Sequence, residues 1–312
     1  AAILAVLEVS LSFDNAVVNA AVLRGWNNFW KTLFLTVGIL VAVFGMRLLF
    51  PLVIVSQTAD MSLLEAWNLA RNSPLEYSQH LTNHHAEVAA FGGMFLLLVF
   101  LNFLIDDDKE VHWLGWIEEK IAALNKLDTV AILLAMGVLL ASVAFLVDGG
   151  AARQFAVLLA GVWGIVVYVG VNVISALLSG GDGDGPGKSI MTGGIGGFLY
   201  LEVLDASFSF DGVIGAFAIT NDVVVIMLGL AIGAMFVRSM TVYLVEKGTL
   251  EEFVFLEHGA HYAIGALAVI MFVTMKYEVP ELVTALLGVA LIGLSLLSSI
   301  LYKKNNPQPI ED

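Results

Sequence analysis

The sequence predicts an all-α fold: a polytopic membrane helix bundle of about nine transmembrane helices, in which helices one to three recur as helices six to eight with inverted topology. Hydrophobic residues make up 59% of the 312 residues and charged residues only 13%, whereas soluble domains carry about 25% charged residues. Apolar segments long enough to cross a bilayer follow one another along the chain. A polar phrase near the start, EVSLSFD, returns in the second half as DASFSFD.

The predicted spans come from hydropathy and length, since a membrane-crossing helix needs roughly 20 mostly apolar residues. Nine segments qualify: about 1–22, 29–55, 85–105, 127–147, 152–178, 190–220, 222–246, 259–276 and 281–302. The sixth is too long for one straight span and begins in a glycine-rich stretch, so we expect a kink or a break there. The chain begins without Met and without a basic leader. We therefore expect the first segment to be a retained span of a processed or cut chain, rather than a signal peptide.

The spans divide the chain into four parts. Residues 1–105 form the first repeat of three transmembrane helices, and residues 106–189 form a cytoplasmic segment with two connecting helices and a glycine-rich linker. Residues 190–279 form the second, inverted repeat, and residues 280–312 form the final helix with a cytoplasmic tail. Residues 106–126 are charged and mixed in character, which predicts a cytoplasmic amphipathic helix.

Two loops carry further signals. In the long loop after the second span, Ser62 and Glu65 have capping-box spacing, which predicts a short surface helix. In the stretch SGGDGDGPGK at 179–188, Asp182 and Asp184 resemble the start of a calcium loop. The downstream Glu that such a loop requires is missing, so we expect a flexible linker.

The basic residues of the loops predict the orientation. If the helices alternate in direction, nine basic residues fall on one side: Arg24, Lys31, Lys109, Lys120, Lys126, Lys188, Lys247, Lys303 and Lys304. Three fall on the other: Arg71, Arg153 and Lys276. Because cytoplasmic loops are enriched in lysine and arginine, the bias places the first residue outside and the C-terminus in the cytoplasm.

An internal repeat appears when the two halves are aligned. Three segments match later ones in the same order: 8–17 with 205–214, 36–47 with 227–238, and 84–93 with 257–266. Five crossings separate the first helix of each unit, so the two units run in opposite directions. Inverted repeats are typical of secondary transporters, whose sites lie near the membrane midplane at the repeat interface.

The polar residues of the repeated helices follow helical faces. In the first helix, one face holds Glu8, Ser12, Asn15 and Asn19, whereas Asp14 stands about 120° away from Glu8 beside Ser10. In the sixth helix, one face holds Glu202, Asp205 and Ser209, whereas Asp211 stands beside Ser207. Two explanations fit: each helix has two polar faces, or each unwinds near its SFD triplet. Unwinding would turn both carboxylates of a repeat towards one site and free backbone carbonyls as ligands.

Five acids converge on this account: Glu8, Asp14, Glu202, Asp205 and Asp211. Within a membrane they cannot all be ionised without counter-charges, and the spans offer only Arg47 and Arg238 as cations. A divalent cation would balance the rest. Carboxylate, amide, hydroxyl and backbone oxygens are the ligands that Mg²⁺, Ca²⁺ and Mn²⁺ prefer. Three alternatives stay open: protonated acids that hold helices together, a proton path, and arginines that only extend to the membrane surface.

The third helix of each repeat offers a secondary metal site. His85 and Glu87 begin one of these helices, and His258 and His261 begin the other. Two histidines three residues apart on a helix bind transition metals in other proteins. These residues also lie at predicted helix ends, where exposed polar caps are common, so both interpretations stay open.

The sequence resembles the TerC family, named for tellurium resistance, within the LysE transporter superfamily. Two motifs carry the resemblance: EVSLSFDN at 8–15 and EVLDASFSFD at 202–211. In particular, the chain resembles a bacterial branch of the family whose function is unknown. Members of this branch have nine spans, whereas seven spans are usual in the family. The resemblance implies a bacterial inner membrane and a role in metal-ion homeostasis, chiefly manganese efflux, or in loading exported enzymes with metal. It also implies that the five acids bind metal and that Asn15 belongs to the first motif, whereas the second motif has Gly212 at that place.

These observations predict a divalent metal-ion transporter, most simply an Mn²⁺ exporter that works by alternating access. Proton exchange through the same acids is an open option. The alternatives are Ca²⁺ transport, a non-transporting scaffold that delivers metal, and an intramembrane aspartyl enzyme. A tellurium oxyanion fits poorly because carboxylates repel anions. We expect no enzyme activity and no cofactor, with a metal ion and the lipid bilayer as partners. The net charge of −14 argues against nucleic acid. No cysteine is present, which excludes disulfides and thiolate sites. A homo-oligomer is left open.

Overall fold

The computed structural model describes residues 1–106, 109, 111–122, 129–178, 193–220, 222–247 and 253–305. Within these ranges, only the backbone is described at Ser10, Leu11, Asp14, Ile117, Glu119, Ala122, Leu178, Phe210, Asp211, Ala218 and Glu281. The predicted linker at 179–188, with Asp182 and Asp184, lies outside the described residues.

All regular structure in the described ranges is helical. The helices are α1 (Ala2–Leu11), α2 (Phe13–Arg24), α3 (Asn28–Leu40), π1 (Val41–Leu49), α4 (Phe50–Thr58), α5 (Leu63–Asn72), α6 (Pro74–Asn83), α7 (His85–Ile105), α8 (Trp116–Ala122), α9 (Val130–Leu146), α10 (Ala151–Leu178), α11 (Ile195–Ile219), α12 (Val223–Glu246), α13 (Leu256–Thr274) and α14 (Glu281–Asn305). The predicted all-α class is confirmed for this part of the chain.

Six continuous helical segments of the described chain are long and apolar enough to cross a membrane. They cover Asn28–Thr58, His85–Ile105, Ala151–Leu177, Val223–Glu246, Leu256–Thr274 and Leu282–Asn305. The protein is therefore a multi-pass helical membrane protein. The other three predicted spans are less regular: 1–22 is divided between α1 and α2, α9 has 17 residues, and α11 carries three acids.

The first predicted span is interrupted at Ser12, where the backbone adopts φ −109° and ψ 18° between α1 and α2. The interruption is local, because the Ser12 N–H still donates to the Glu8 carbonyl at 2.9 Å, and the Ala16 N–H donates to the Ser12 carbonyl at 3.2 Å. By contrast, α11 continues without a break through its SFD triplet and Gly212. The unwinding considered for both helices thus occurs in the first half only.

The second span is one continuous helical rod, α3–π1–α4, with a wide turn in its middle. The nine residues Val41–Leu49 are π-helical. Pro51 follows, and its missing N–H removes the hydrogen bond that Arg47 would accept in a regular α-helix. Such wide turns occur often at functional sites, and this one carries Arg47.

The loops gather at two opposite ends of the bundle. At one end the Lys276 ammonium lies 3.2 Å from Asp148 Oδ2, and Arg153 Nη2 donates to the Asn83 carbonyl at 3.4 Å. The surface helix predicted there is confirmed as α5, with its capping box between Ser62 and Glu65. At the other end, Arg24 of α2 lies 4.0 Å from Glu257 of α13. These contacts therefore join Asp148 to Lys276 and Asn83 to Arg153 at one end, and Arg24 to Glu257 at the other.

Helices α7 and α13 pack against each other at the centre of the bundle. A Cβ added at Gly92 would lie 2.8 Å from Met271 Cε, and one added at Gly265 would lie 2.7 Å from the Phe100 ring. The two helices are therefore antiparallel, and each uses a glycine to receive a large side chain of the other. Small residues at such crossings allow the close approach that stabilises helix pairs in membranes.

Candidate functional site

Glycines on the second helix of each half make room for the acids of the other half. A Cβ added at Gly233 on α12 would lie 2.5 Å from Cβ and Cγ of Glu8. A Cβ added at Gly38 on α3 would lie 2.6 Å from Oε1 of Glu202. These two positions allow α1 and α11 to bring their carboxylates into the interior of the bundle, where Glu8 meets the middle of α12.

The first buried ion pair joins α1 to the wide turn of π1. Arg47 Nη2 donates to Glu8 Oε1, and Arg47 Nη1 donates to the Ala42 carbonyl at 2.9 Å. The Ser12 hydroxyl donates to the same carboxylate oxygen at 3.1 Å, from the residue that interrupts the helix. Glu8 is only 2% exposed. The break at Ser12 and the π-turn therefore each place a hydrogen-bond donor at the same buried carboxylate.

The second buried ion pair joins α11 to α12. Arg238 Nη2 donates to Asp205 Oδ2 and lies 3.8 Å from Glu202 Oε1. The guanidinium carbon lies 3.7 Å from the centre of the Phe34 ring, within the range of a cation–π contact. Asn19 of α2 donates to the other Asp205 oxygen at 3.0 Å. Asp205 is thus bound by a cation from its own half and by an amide from the first half.

Glu202 is the least satisfied acid of the described site. Both of its carboxylate oxygens are buried without a hydrogen-bond partner among the described residues. The same holds for Asn19 Oδ1, Ser209 Oγ and Arg238 Nη1. Buried polar atoms without partners are costly, at about 1–3 kcal/mol each and more when charged. Glu202, Asn19 and Ser209 therefore each have a side-chain oxygen in the site that makes no hydrogen bond with a described residue.

Two cavities adjoin the buried acids. The larger, of about 850 Å³, is bounded at one end of the bundle by Thr82, Arg153 and Tyr277 and extends inward to Glu8, Ser12, Phe208 and Gly212. The smaller, of about 10 Å³, holds space for roughly one water molecule. Its walls include Ser12, Asn15, Asn19, Arg47, Asp205, Phe208, Ser209 and Arg238. Ser12 and Phe208 line both cavities, so they form the partition between them.

Most of the predicted site residues are brought together. Those described around the two cavities and their ion pairs are Glu8, Ser12, Asn15, Asn19, Arg47, Glu202, Asp205, Ser209 and Arg238. The side chains of Asp14 and Asp211 lie outside the description. Among the described side chains, no three acids or histidines are arranged to hold a metal ion. Instead, the described acids are divided between the two arginines.

The four residues of the predicted secondary site lie at opposite ends of the bundle, because α7 and α13 are antiparallel. His85 lines the large cavity near Thr82. Glu87 Oε1 lies 3.5 Å from His84 Nδ1. At the far end, His258 Nε2 lies 2.8 Å from the Val111 carbonyl oxygen, and the His261 ring stacks on Phe103 with 3.9 Å between centres. The α7 and α13 pairs therefore lie apart, and the two α13 histidines contact Val111 and Phe103.

Sequence reasoning missed a buried network at that far end. Glu118 is fully buried and accepts hydrogen bonds from the Leu114 N–H at 3.0 Å and the Tyr262 hydroxyl at 2.8 Å. Its other oxygen lies 3.8 Å from Lys109 Nζ and 3.7 Å from His258 Nε2. Burial lowers the pKa of the Lys109 ammonium, although Glu118 opposes that shift. A local signal lies in the sequence before Glu118, where Trp113, Leu114, Trp116 and Ile117 are apolar.

The comparisons with known proteins place the chain in one family. A search of curated proteins and of solved structures found no match. The family described as "Protein of unknown function (DUF475)" matches residues 13–306, which include every described residue of the site except Glu8 and Ser12. The chain therefore belongs to the DUF475 family.

Proposed function

We propose that this protein transports a divalent metal ion across the membrane by alternating access, and that its activity is Mn²⁺ export. One observation carries the proposal: a cavity of about 850 Å³ leads from one end of the bundle to Glu8, beside a buried cluster of acids and arginines. Ionisable groups inside a membrane are costly and mark ion pathways. A carrier needs such a site, with access from one side at a time.

Contacts at the opposite end of the bundle support a conformation that is open to one side of the membrane only. There, Glu118 ties the segment before α8 to α13 through Lys109, Tyr262 and His258. Phe103 packs between the same groups, with Lys109 Nζ 4.5 Å above its ring. We infer that this network is the closed cytoplasmic gate. The cavity opens at the end that the lysine and arginine bias assigns to the outside of a bacterial inner membrane.

Reciprocal helix packing supports the inverted repeat that alternating access requires. Cβ atoms added at Gly229 and Gly233 would meet Leu4 and Glu8 in the same order, so α1 runs parallel to α12. The equivalent contact of the other half follows the same rule. Phe34 packs on Phe198, with 6.3 Å between ring centres, and Gly38 faces Glu202, so α3 runs parallel to α11.

These pairs support opposite directions for the two halves. The rod α3–π1–α4 reverses the direction of α1, so α11 also runs opposite to α1, its proposed repeat partner. In both halves an arginine on the second helix pairs with an acid on the first: Arg47 with Glu8, and Arg238 with Asp205. We therefore propose nine spans, with α1–α2 as one broken span and with α9 and α11 completing the set.

The chemistry of the site supports a hard divalent cation as the cargo. The described side chains around the small cavity offer carboxylate, amide and hydroxyl oxygens. Such oxygens suit Mg²⁺, Ca²⁺ and Mn²⁺. The likeness of the two SFD motifs to those of the TerC family favours Mn²⁺ among the three.

The test is ion flux in proteoliposomes. We expect the wild type to move Mn²⁺ faster than Ca²⁺ or Mg²⁺, measured with metal-sensitive dyes. Glu8→Gln and Asp205→Asn should lower the initial rate at least about tenfold. Asp14→Asn and Asp211→Asn test the acids of the two SFD triplets in the same assay. Glu76→Gln, the same type of change at an exposed position of α6, should leave the rate unaltered. Binding of Mn²⁺ by the wild type without flux of any divalent cation would favour a metal-delivery scaffold and refute transport.

A further inference from the structure

We infer that Arg47 and Arg238 are built-in competitors of the transported cation: their guanidinium groups occupy the site's carboxylates in the empty carrier and must leave them when the ion binds. This inference rests on the proposed function and assigns a role to the two arginines within it. It concerns what neutralises the acids when no metal is present.

The arginines already hold the oxygens that a cation would need. Arg47 Nη2 is bound to Glu8 Oε1, and Arg238 Nη2 is bound to Asp205 Oδ2. Both arginines and Asp205 line the small cavity. Their side chains are buried, at 8% and 4% exposure, so neither guanidinium has bulk water as an alternative partner. Two cations on one carboxylate oxygen repel each other, so a metal ion would compete with the guanidinium for that oxygen.

The charges of the described site are nearly balanced without metal. Glu8, Glu202 and Asp205 face Arg47 and Arg238, which leaves one negative charge if all five groups are ionised. A divalent cation added to this set would change the balance to one positive charge. Because uncompensated charge is costly in a low-dielectric interior, the empty carrier is able to change conformation only while the arginines remain on the acids.

Each arginine also has a second partner that keeps it beside the site when its acid is taken. Arg47 Nη1 donates to the Ala42 carbonyl at 2.9 Å, a bond that does not involve Glu8. Arg238 lies 3.7 Å from the Phe34 ring, and Glu202 Oε1 lies 3.8 Å from its Nη2. The two Glu202 oxygens have no hydrogen-bond partner among the described residues. Glu202 is therefore the acceptor to which Arg238 moves when the cation takes Asp205.

Two roles of the arginines, competition with the ion and bracing of the helices, predict opposite effects on Mn²⁺ binding. If the arginines compete with the ion, then Arg238→Gln and Arg47→Gln should lower the Kd for Mn²⁺ at least about tenfold, because a positive charge next to the site disappears. The same variants should lower the transport rate, because the empty carrier then holds uncompensated carboxylates. If the arginines only brace the helices, their removal should weaken both binding and transport.

The experiment measures Mn²⁺ binding to the purified full chain in detergent by equilibrium dialysis, and flux in proteoliposomes. Arg238→Lys keeps a positive charge beside Asp205, so its Kd should fall much less than that of Arg238→Gln. Arg71→Gln, at an exposed position of α5, is the matched control and should change neither quantity. Tighter binding with slower flux in the two glutamine variants would support the inference. Weaker or unchanged binding in both, with a wild-type Tm, would overturn it.

A measurement on the wild type covers variants that fail to fold. Infrared difference spectra of protein with isotope-labelled arginine report the guanidinium stretching bands before and after Mn²⁺ is added. We expect label-sensitive bands to shift, because two ion pairs are broken. Bands that stay unchanged while Mn²⁺ binds would overturn the inference and leave the proposed function standing. A wild type that binds no divalent cation would instead refute the proposed function itself.

Discussion

Gly233 on α12 is the position at which the packing of the buried site is most directly testable. A Cβ added there would lie 2.5 Å from both Cβ and Cγ of Glu8 and 3.1 Å from the Ala5 carbonyl oxygen. Carbon atoms in contact normally stay roughly 3.5–4.0 Å apart. Gly233→Ala therefore forces α1 away from α12 by about 1 Å, because the atoms it meets are close to the α1 backbone.

The cost of this change follows from two opposing effects. Overpacking a filled interface costs about 1–3 kcal/mol. Replacing a glycine by alanine within a helix returns about 0.5–1 kcal/mol. We expect a net loss of about 0–2.5 kcal/mol in the free energy of unfolding. The shift of α1 also moves Glu8 away from Arg47, so transport should fall more than the loss of stability alone explains.

The assay combines unfolding in SDS, followed by circular dichroism, with Mn²⁺ flux in proteoliposomes. Gly137→Ala on α9 is the matched control, because a Cβ added there meets nothing within 4 Å. This control should be as stable as the wild type, or more stable, and should transport normally. If Gly233→Ala matches the control in both measurements, the close packing of Glu8 against Gly233 is wrong.

Three further predictions concern the partition and the closed end. Phe208→Ala should join the two cavities. Because the chain has no cysteine of its own, a cysteine introduced as Asn19→Cys can report this change, and a thiol reagent should modify it faster when Phe208 is replaced. Equal rates would contradict the partition. Glu118→Gln should lower the free energy of unfolding by about 1–3 kcal/mol and speed proteolysis near α8, because the buried ion contacts of this residue lose their charge. The lowered pKa of Lys109 means that the unfolded chain binds this proton more tightly than the folded one. Stability should therefore rise as the pH approaches the ordinary lysine pKa of about 10.4, and Lys109→Met should remove that rise; an unchanged pH profile would contradict the burial of the ammonium.

Local patterns allowed much of the architecture to be predicted. The apolar segments that became α7, α12 and α13 needed only hydropathy and length, because a helix satisfies its own backbone in lipid. The capping box of Ser62 and Glu65 lies within one turn, and it is present. The polar face shared by Glu8 and Ser12 follows from helical spacing, and the two side chains are hydrogen-bonded.

Other features of the site depended on contacts between distant segments. The spacing rules offered unwinding at both SFD triplets, yet only the first helix breaks, at Ser12. The acids were expected to converge, whereas the described ones are divided between Arg47 and Arg238. Glu118 belongs to a segment predicted to be amphipathic and cytoplasmic, and the packing of α13 buries it completely.

The sequence by itself determined that this is a helical membrane protein with repeated acidic phrases, since hydropathy and helical period are properties of neighbouring residues. Only the tertiary structure decided which cation each acid meets, where a cavity reaches Glu8, and how Phe208 separates that cavity from Asp205. These outcomes depend on glycines such as Gly38 and Gly233, which let helices far apart in the chain approach closely enough for buried charges to pair.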